Sequence, residues 1–335
     1  MLNKDNVTVI MPAYNEEKHI RDAVNKVVNQ KWSGNLEIVV VDGGSTDRTA
    51  AIMKEIIPTL PPNRSLQILY NPQKHIPVSL NMACLHASSD IIVRTDAHTY
   101  VPDDYVLETV NTLEEIEYQG IAGGRIIIYP GEETCIARAI SLAVRHPLGV
   151  GNAAYRTLGS DVVKPLDVDT VPFGAFSKAL WEDLGGYDES LLFDEDYDLN
   201  YRAREKGYRV VLNPKIVLTY FSRKNLNLLW KQYFRYGFWA YKFCQKHKII
   251  PSIRRFIPAA FVIGFFLLLL VGFFWTFKLF GLYLLAYLLP IIMVSLYEGL
   301  KKKRGMLFSL CLVPVFPVLH FSYGLGSILS LIKRK

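Results

Sequence analysis

Three long apolar stretches near the C-terminus constrain this chain more than any other feature. Residues 256–277 (FIPAAFVIGFFLLLLVGFFWTF) and 279–297 (LFGLYLLAYLLPIIMVSLY) carry no charged side chain. A third stretch, 306–332, is interrupted by Pro314, Pro317, Gly324 and Gly326. Each is near or above the ~18–20 apolar residues that cross ~30 Å of hydrocarbon. A core helix normally turns a polar face to water, and the first two stretches have none. The expectation is an integral membrane protein with two to three transmembrane helices.

Basic clusters orient the spans, because Lys and Arg accumulate on the cytoplasmic side. Arg254-Arg255 precedes the first span and Lys301-Lys302-Lys303-Arg304 follows the second, so both ends are expected in the cytoplasm and 275–278 outside. A full third crossing would carry Lys333-Arg334-Lys335 outside, against that rule. A broken or re-entrant helix, which prolines and glycines permit, would keep them inside. Just before the spans, 226–248 mixes Trp230, Tyr233, Phe234, Tyr236, Phe238 and Trp239 with Lys231, Arg235, Lys242, Lys246 and Lys248. Aromatic and basic side chains together suit a helix lying at the headgroups of membrane lipids.

The net charge of +7 and pI near 9.0 suggest nucleic acid as a partner until the chain is divided. From residue 223 onward there are 17 Lys/Arg and one acid, Glu298, a balance of +16. Earlier residues carry 21 bases against 30 acids, a balance of −9. The basicity thus belongs to the membrane part, and no nucleic-acid partner is expected. Cys84, Cys135, Cys244 and Cys311 are scattered without a CxxC, which fits a reducing compartment. No signal-peptide pattern opens the chain, so the N-terminal domain is expected in the cytosol, attached to the cytoplasmic membrane.

Apolar runs at 7–11, 36–41, 66–70 and 91–94 alternate with helical patterns at 16–30, 47–57 and 78–86. This is the βαβ signature of a largely parallel sheet. Further strands are expected at 121–129, 171–177, 209–212 and 216–221, with helices at 178–184 and 193–206. Ligands of such sheets bind beyond the C-terminal strand ends. Three of those ends carry polar clusters, at 12–16, 42–47 and 96–98. No GxGxxG or GxxxxGK[ST] follows the first strand, which disfavours dinucleotide-dependent dehydrogenases and P-loop NTPases. The division expected is a catalytic domain over 1–222, an interfacial helix and linker over 223–255, and a membrane domain over 256–335.

Two clusters carry chemistry. Asp96 and His98 project from a strand end, and their oxygen and nitrogen donors suit Mn2+ or Mg2+. Asp194, Glu195, Asp196 and Asp198 crowd one helix start, where mutual repulsion raises a pKa and suits a general base. A helix N-terminus also favours acids in its own right. Asp194 is expected to cap the helix while Asp196 faces the cleft.

Taken together these stretches resemble family 2 glycosyltransferases of the GT-A fold. The matching pieces are Met11-Pro12-Ala13-Tyr14-Asn15-Glu16, Val41-Asp42-Gly43-Gly44-Ser45-Thr46-Asp47, Asp96-Ala97-His98, Phe173-Gly174-Ala175-Phe176 with Gly186-Tyr187-Asp188, and Glu195-Asp196. They span nearly all of residues 5–222. The DAH motif, His146-Pro147-Leu148-Gly149-Val150-Gly151 and Gln232-Tyr233-Phe234-Arg235-Tyr236 look like the membrane-bound succinoglycan-type exopolysaccharide glucosyltransferases.

The resemblance implies an inverting, metal-dependent hexose transfer from a nucleotide sugar, expected to be a UDP-sugar, to a lipid-linked sugar or polyprenyl-phosphate acceptor. It implies that Pro12, Ala13, Tyr14 and Glu16 hold base and ribose and that Asp42 closes that pocket. Lys74 would approach base or phosphates, and Asp96 the ribose or the metal, with His98 as metal ligand. Gly174, Ala175 and Glu195 would line the donor sugar and acceptor, and Asp196 would be the catalytic base. Gln232 and Arg235 would lie near the pyrophosphate. Gly43, His98 and Tyr236 stand where many members carry Asp, Asp and Trp. The rival readings are a polyprenyl-phosphate hexosyltransferase using Arg223-Lys224, a processive polysaccharide synthase, and a non-catalytic membrane scaffold.

Overall fold

The structure, a computed structural model, describes residues 3–151, 153–159, 162–250 and 253–332. Its strands are β1 (Asn6–Ala13), β2 (Asn35–Asp42), β3 (Arg64–Tyr70), β4 (Ile91–Arg94), β5 (Gly120–Tyr129), β6 (Leu166–Asp167), β7 (Ala175–Ser177) and β8 (Arg209–Phe221). The helices begin with α1 (Ile20–Val28), α2 (Thr49–Ile56), α3 (Ile76–His86), α4 (Tyr105–Glu115), α5 (Cys135–Ala143), α6 (Pro147–Val150) and α7 (Ala154–Thr157). They continue with α8 (Lys178–Asp183), α9 (Glu195–Glu205), α10 (Leu226–His247), α11 (Ile257–Phe274), α12 (Phe277–Leu296), α13 (Met306–Leu312) and α14 (Val315–Ile332). Two compact units result: Met1–Ile127 with Ala154–Tyr220, and Ile128–Ala153 with Phe221–Lys335. Residues 128–153 therefore group with the C-terminal part rather than with the rest of 1–222.

The first unit is built on an eight-stranded sheet of order β3-β2-β1-β4-β7-β5-β8-β6. Strands β3, β2, β1 and β4 run parallel. β7 is antiparallel to both β4 and β5, and β6 to β8. Successive side chains of a strand point to opposite faces. Val7, Val9 and Met11 of β1 join Ile38 and Val40 of β2 in one core, together with Val24 of α1 and Met53 of α2. Ile10, Val39 and Val41 join the other, with Leu80 of α3 and Trp181 of α8. Both faces are thus covered, which is why these strands read as continuous apolar runs.

Besides the single-turn helices α6 and α7, two longer helices of the described residues were not expected. α4 buries Tyr105, Val106, Thr109, Val110 and Leu113, a helical stripe partly disguised by threonine. The other is α5, whose start is capped by the Thr134 hydroxyl, which accepts from the Ala137 N–H. The strands expected at 209–212 and 216–221 form the single strand β8, continuous through Asn213-Pro214.

Within the second unit, Ile257–Phe274, Phe277–Lys301 and Met306–Ile332 are long and apolar enough to cross a membrane. The third is divided into α13 and α14 around Pro314, which has no N–H to continue a helical ladder. Lys333, Arg334 and Lys335, on which its orientation turned, lie outside the described residues. α10 coincides with the basic-aromatic segment and packs closely against α14. A Cβ on Gly237 would lie 1.9 Å from the Tyr323 carbonyl oxygen, and one on Gly326 2.1 Å from that of Phe234. Small residues at such crossings let two backbones approach. The Ser327 hydroxyl donates to the Gly237 carbonyl at 3.1 Å.

Candidate active site

The parallel strands β1, β2, β3 and β4 end on one edge, and the polar clusters hang from it. The loops after β1 and β2 are locked together. Asn15 N–H donates to Ser45 Oγ at 2.9 Å, and Thr46 N–H returns to Asn15 Oδ1 at 2.8 Å. Glu16 N–H donates to Thr49 Oγ1 at 2.8 Å, and Glu17 N–H to Asp47 Oδ2 at 3.1 Å. The buried Asp42 carboxylate accepts the Ser45 N–H at 3.1 Å and its hydroxyl at 2.5 Å. Lys74 Nζ lies 3.4 Å from the Tyr14 hydroxyl and 5.0 Å from its ring centroid. Exposed Tyr14 and Tyr70 flank this end. Gly44 sits at φ 76°, where a Cβ would come within 3.3 Å of the Tyr70 hydroxyl.

The centre of the arrangement is a residue that sequence reasoning missed. Arg94 ends the apolar strand β4 with only 2% of its side chain exposed. One guanidinium nitrogen bonds Asp196 Oδ1. The other lies 2.9 Å from Glu195 Oε1 and 3.4 Å from Asp96 Oδ1. The Phe173 and Tyr187 rings stand 5.6 and 6.0 Å from the guanidinium. The Tyr105 hydroxyl lies 2.7 Å from the Arg94 carbonyl and 3.1 Å from that of Phe173. The available signal was the sequence IIVR itself, since an arginine on a buried strand needs anionic partners.

Electrostatics follow from that burial. Burial pushes Glu195 up to about 7, with Arg94 opposing and Asp196 assisting. Burial also raises Asp196, against the pull of Arg94 and the Phe173 N–H. The Glu195 side chain is 11% exposed and that of Asp196 26%. Burial alone would lower Arg94, but the carboxylates around it hold it well above the ordinary arginine value. The remaining acids of the cluster divide differently from expectation. Asp198 is fully buried and bonded by Arg202 at 2.7 Å. Asp194 occupies the N-cap position in a left-handed conformation and makes no side-chain capping bond.

His98 Nδ1 lies 3.1 Å from Glu16 Oε1, which brings the loop after β4 to the one after β1. Among the described residues, no group of three or more His, Cys, Asp and Glu converges as a ready-made metal cage. Asp96 and His98 offer one oxygen and one nitrogen donor. Mg2+ commonly takes only one or two protein ligands and completes its shell with substrate phosphates and water. This donor set therefore fits a divalent cation that arrives with a diphosphate.

The other expected residues are distributed as follows. Pro12 and Ala13 finish β1, with Ala13 packed in the core. Gly174 lies so close to Ile121 that a Cβ would be 2.4 Å from its Cγ2. The Ala175 side chain is fully buried in β7, so only its main chain could face a ligand. Gln232 and Arg235 belong to the second unit, on α10, where Gln232 Nε2 donates to the Tyr236 hydroxyl at 2.9 Å. Four non-glycine residues of the loops, Asn15, Lys74, Phe173 and Asp194, take φ of 55°, 61°, 52° and 65°. Such strain collects where surrounding contacts over-determine the backbone.

Comparison with known proteins gives a consistent result. The model of the family described as "Glycosyl transferase family 2" matches residues 8–176. The succinoglycan biosynthesis protein ExoA of Rhizobium meliloti is 29% identical over 266 residues, 75% of this chain and 74% of its own. A Methanococcus voltae protein is 25% identical over 322 residues, 95% of each chain. Its name is dolichyl N-acetyl-alpha-D-glucosaminyl phosphate 3-beta-D-2,3-diacetamido-2,3-dideoxy-beta-D-glucuronosyltransferase. Among solved structures, a mannosyltransferase of Pyrobaculum calidifontis in complex with GDP-Man and Mn2+ shares the fold. It aligns at TM-score 0.60 and 19% identity over 98% of this chain and 88% of that one.

Proposed function

The chain belongs to glycosyl transferase family 2 and is a glycosyltransferase, and we propose that it performs an inverting transfer of a hexose from a nucleotide sugar to a lipid-linked acceptor. The observation that carries the reading is Asp196. It is a partly exposed carboxylate held by a buried arginine beside Asp96, at the edge where parallel sheets bind ligands.

In this mechanism Tyr14, Glu16, Lys74 and Asp42 surround the nucleotide, and the contact between Glu16 and His98 links the loops after β1 and β4. A divalent cation on Asp96 and His98 would neutralise charge on the departing diphosphate. Asp196 takes the proton from the acceptor hydroxyl as that oxygen attacks the anomeric carbon. The new carbon–oxygen bond forms on the face opposite the breaking one, and the nucleoside diphosphate leaves with the electron pair. A single displacement inverts the centre, so an α-linked donor gives a β-linked product.

The apolar helices of the second unit support a lipid-linked acceptor, and the Methanococcus voltae relative is named for a dolichyl phosphate-linked sugar. A catalytic domain facing the cytosol at the cytoplasmic membrane follows from the basic clusters at 254–255 and 301–304. UDP-sugars are the first donors to screen, beside the GDP-mannose carried by the structural neighbour. The test is nucleoside diphosphate release by purified protein with donor, Mn2+ or Mg2+, and lipid acceptor. Release that ignores the acceptor contradicts the reading.

A further inference from the structure

We propose that Arg94 is a positioning residue for sugar transfer: its guanidinium fixes the Asp196 carboxylate in the orientation from which it takes the acceptor proton. The inference rests on the reading of Asp196 as the base.

Ile91, Ile92 and Val93 are fully buried, and a leucine or methionine could complete β4 without desolvating a charge. Arginine stands there instead, and its planar fork is matched on each side. One nitrogen meets Asp196 on α9, and the other meets Glu195 on α9 and Asp96 beyond β4. The flanking Phe173 and Tyr187 rings come from two separate turns and restrict the plane of the fork. Tyr105 ties the Arg94 carbonyl to that of Phe173, so the main chain carrying the fork is fixed as well. The guanidinium is thus the common partner of the loop after β4, which bears Asp96, and the helix bearing Asp196. A fork with five donors holds carboxylates at defined angles, which a point charge does not.

The competing role is charge balance alone: Arg94 would merely neutralise the buried Glu195. Four variants of the full chain in detergent separate the two, namely Arg94→Lys, Arg94→Met, Glu195→Gln and the double Arg94→Met/Glu195→Gln. The double variant removes both members of that pair. Rates, donor KM and thermal midpoint are measured for each. If Arg94 positions the base, Arg94→Met lowers kcat by about 10²-fold, the scale of a small misplacement of a reacting group. Donor KM stays within about threefold, and Arg94→Lys falls between Met and the parent because it keeps the charge without the fork. The double variant then unfolds where Glu195→Gln does but remains about 10²-fold slower than it.

A double variant as fast as Glu195→Gln, or a loss confined to KM, overturns the inference. Should both methionine variants fail to fold, Arg94→Lys decides, and a kcat equal to the parent's is the negative result. Asp196→Asn is assayed alongside. If it transfers at the parent rate, the base assignment itself is wrong. If it is inactive while the Arg94 variants are unimpaired, only the positioning role is lost.

Discussion

At the scale of single residues, the site is an electrostatic problem solved in a small space. Glu195, Asp196 and Asp96 surround one guanidinium, so the cluster keeps an excess of negative charge unless a proton or a cation joins it. Burial favours the proton on Glu195, which agrees with the proposed role of Asp196 as the base. A base works only when deprotonated, and burial raises the Asp196 pKa from its ordinary value. The rate of transfer should therefore fall as pH drops, along an acid limb displaced upward from about pH 4. A pH–rate profile of the parent protein checks this, and a rate flat down to the ordinary aspartate range contradicts it. The limb belongs to the coupled carboxylates together. The motif residues Asp96, His98, Glu195 and Asp196 were legible because acids and histidine at strand and helix ends stand out. Arg94 was not, because a single basic residue closing an apolar run reads as the solvent-facing end of a strand until its partners, about 100 residues away in sequence, are in view.

At the scale of elements, the parallel half of the sheet was readable from its apolar runs. The later half was harder, since β7 inserts antiparallel between β4 and β5 and pairs over only a few residues. α4 hid behind threonines that bond back into their own helix, Thr109 to the Tyr105 carbonyl and Thr112 to that of Glu108. In the second unit, the glycines of 306–332 looked like helix breakers. They lie instead inside α14, at its contacts with α10 and α11. Gly326→Leu should then destabilise the unit by about 1–3 kcal/mol through overpacking. Gly281→Ala, on α12 with nothing within 4 Å of its added Cβ, should be neutral or slightly stabilising. Thermal unfolding of the two variants in detergent compares them directly. Equal midpoints would show that the α10–α14 crossing does not depend on close approach.

At the scale of the whole chain, the charge split organises the account. An acidic N-terminal part at −9 carries the carboxylates of the site, and a basic C-terminal part at +16 carries the apolar helices and the basic clusters beside them. Chelation of divalent ions should abolish transfer while leaving the thermal midpoint of the protein nearly unchanged. That result is expected because Asp96 and His98 leave most of the cation shell to substrate and water. Restoration by Mn2+ or Mg2+ checks it, and full activity in chelator would remove the cation from the mechanism. The most direct test of the central claim compares the parent chain with Asp196→Asn for nucleoside diphosphate release in the presence of donor, cation and lipid acceptor. General-base catalysis contributes about 10²–10⁴-fold, so the variant should lose activity on that scale while binding donor as the parent does. Release by Asp196→Asn at the parent rate, with the same dependence on acceptor, would contradict the assignment of Asp196 as the base.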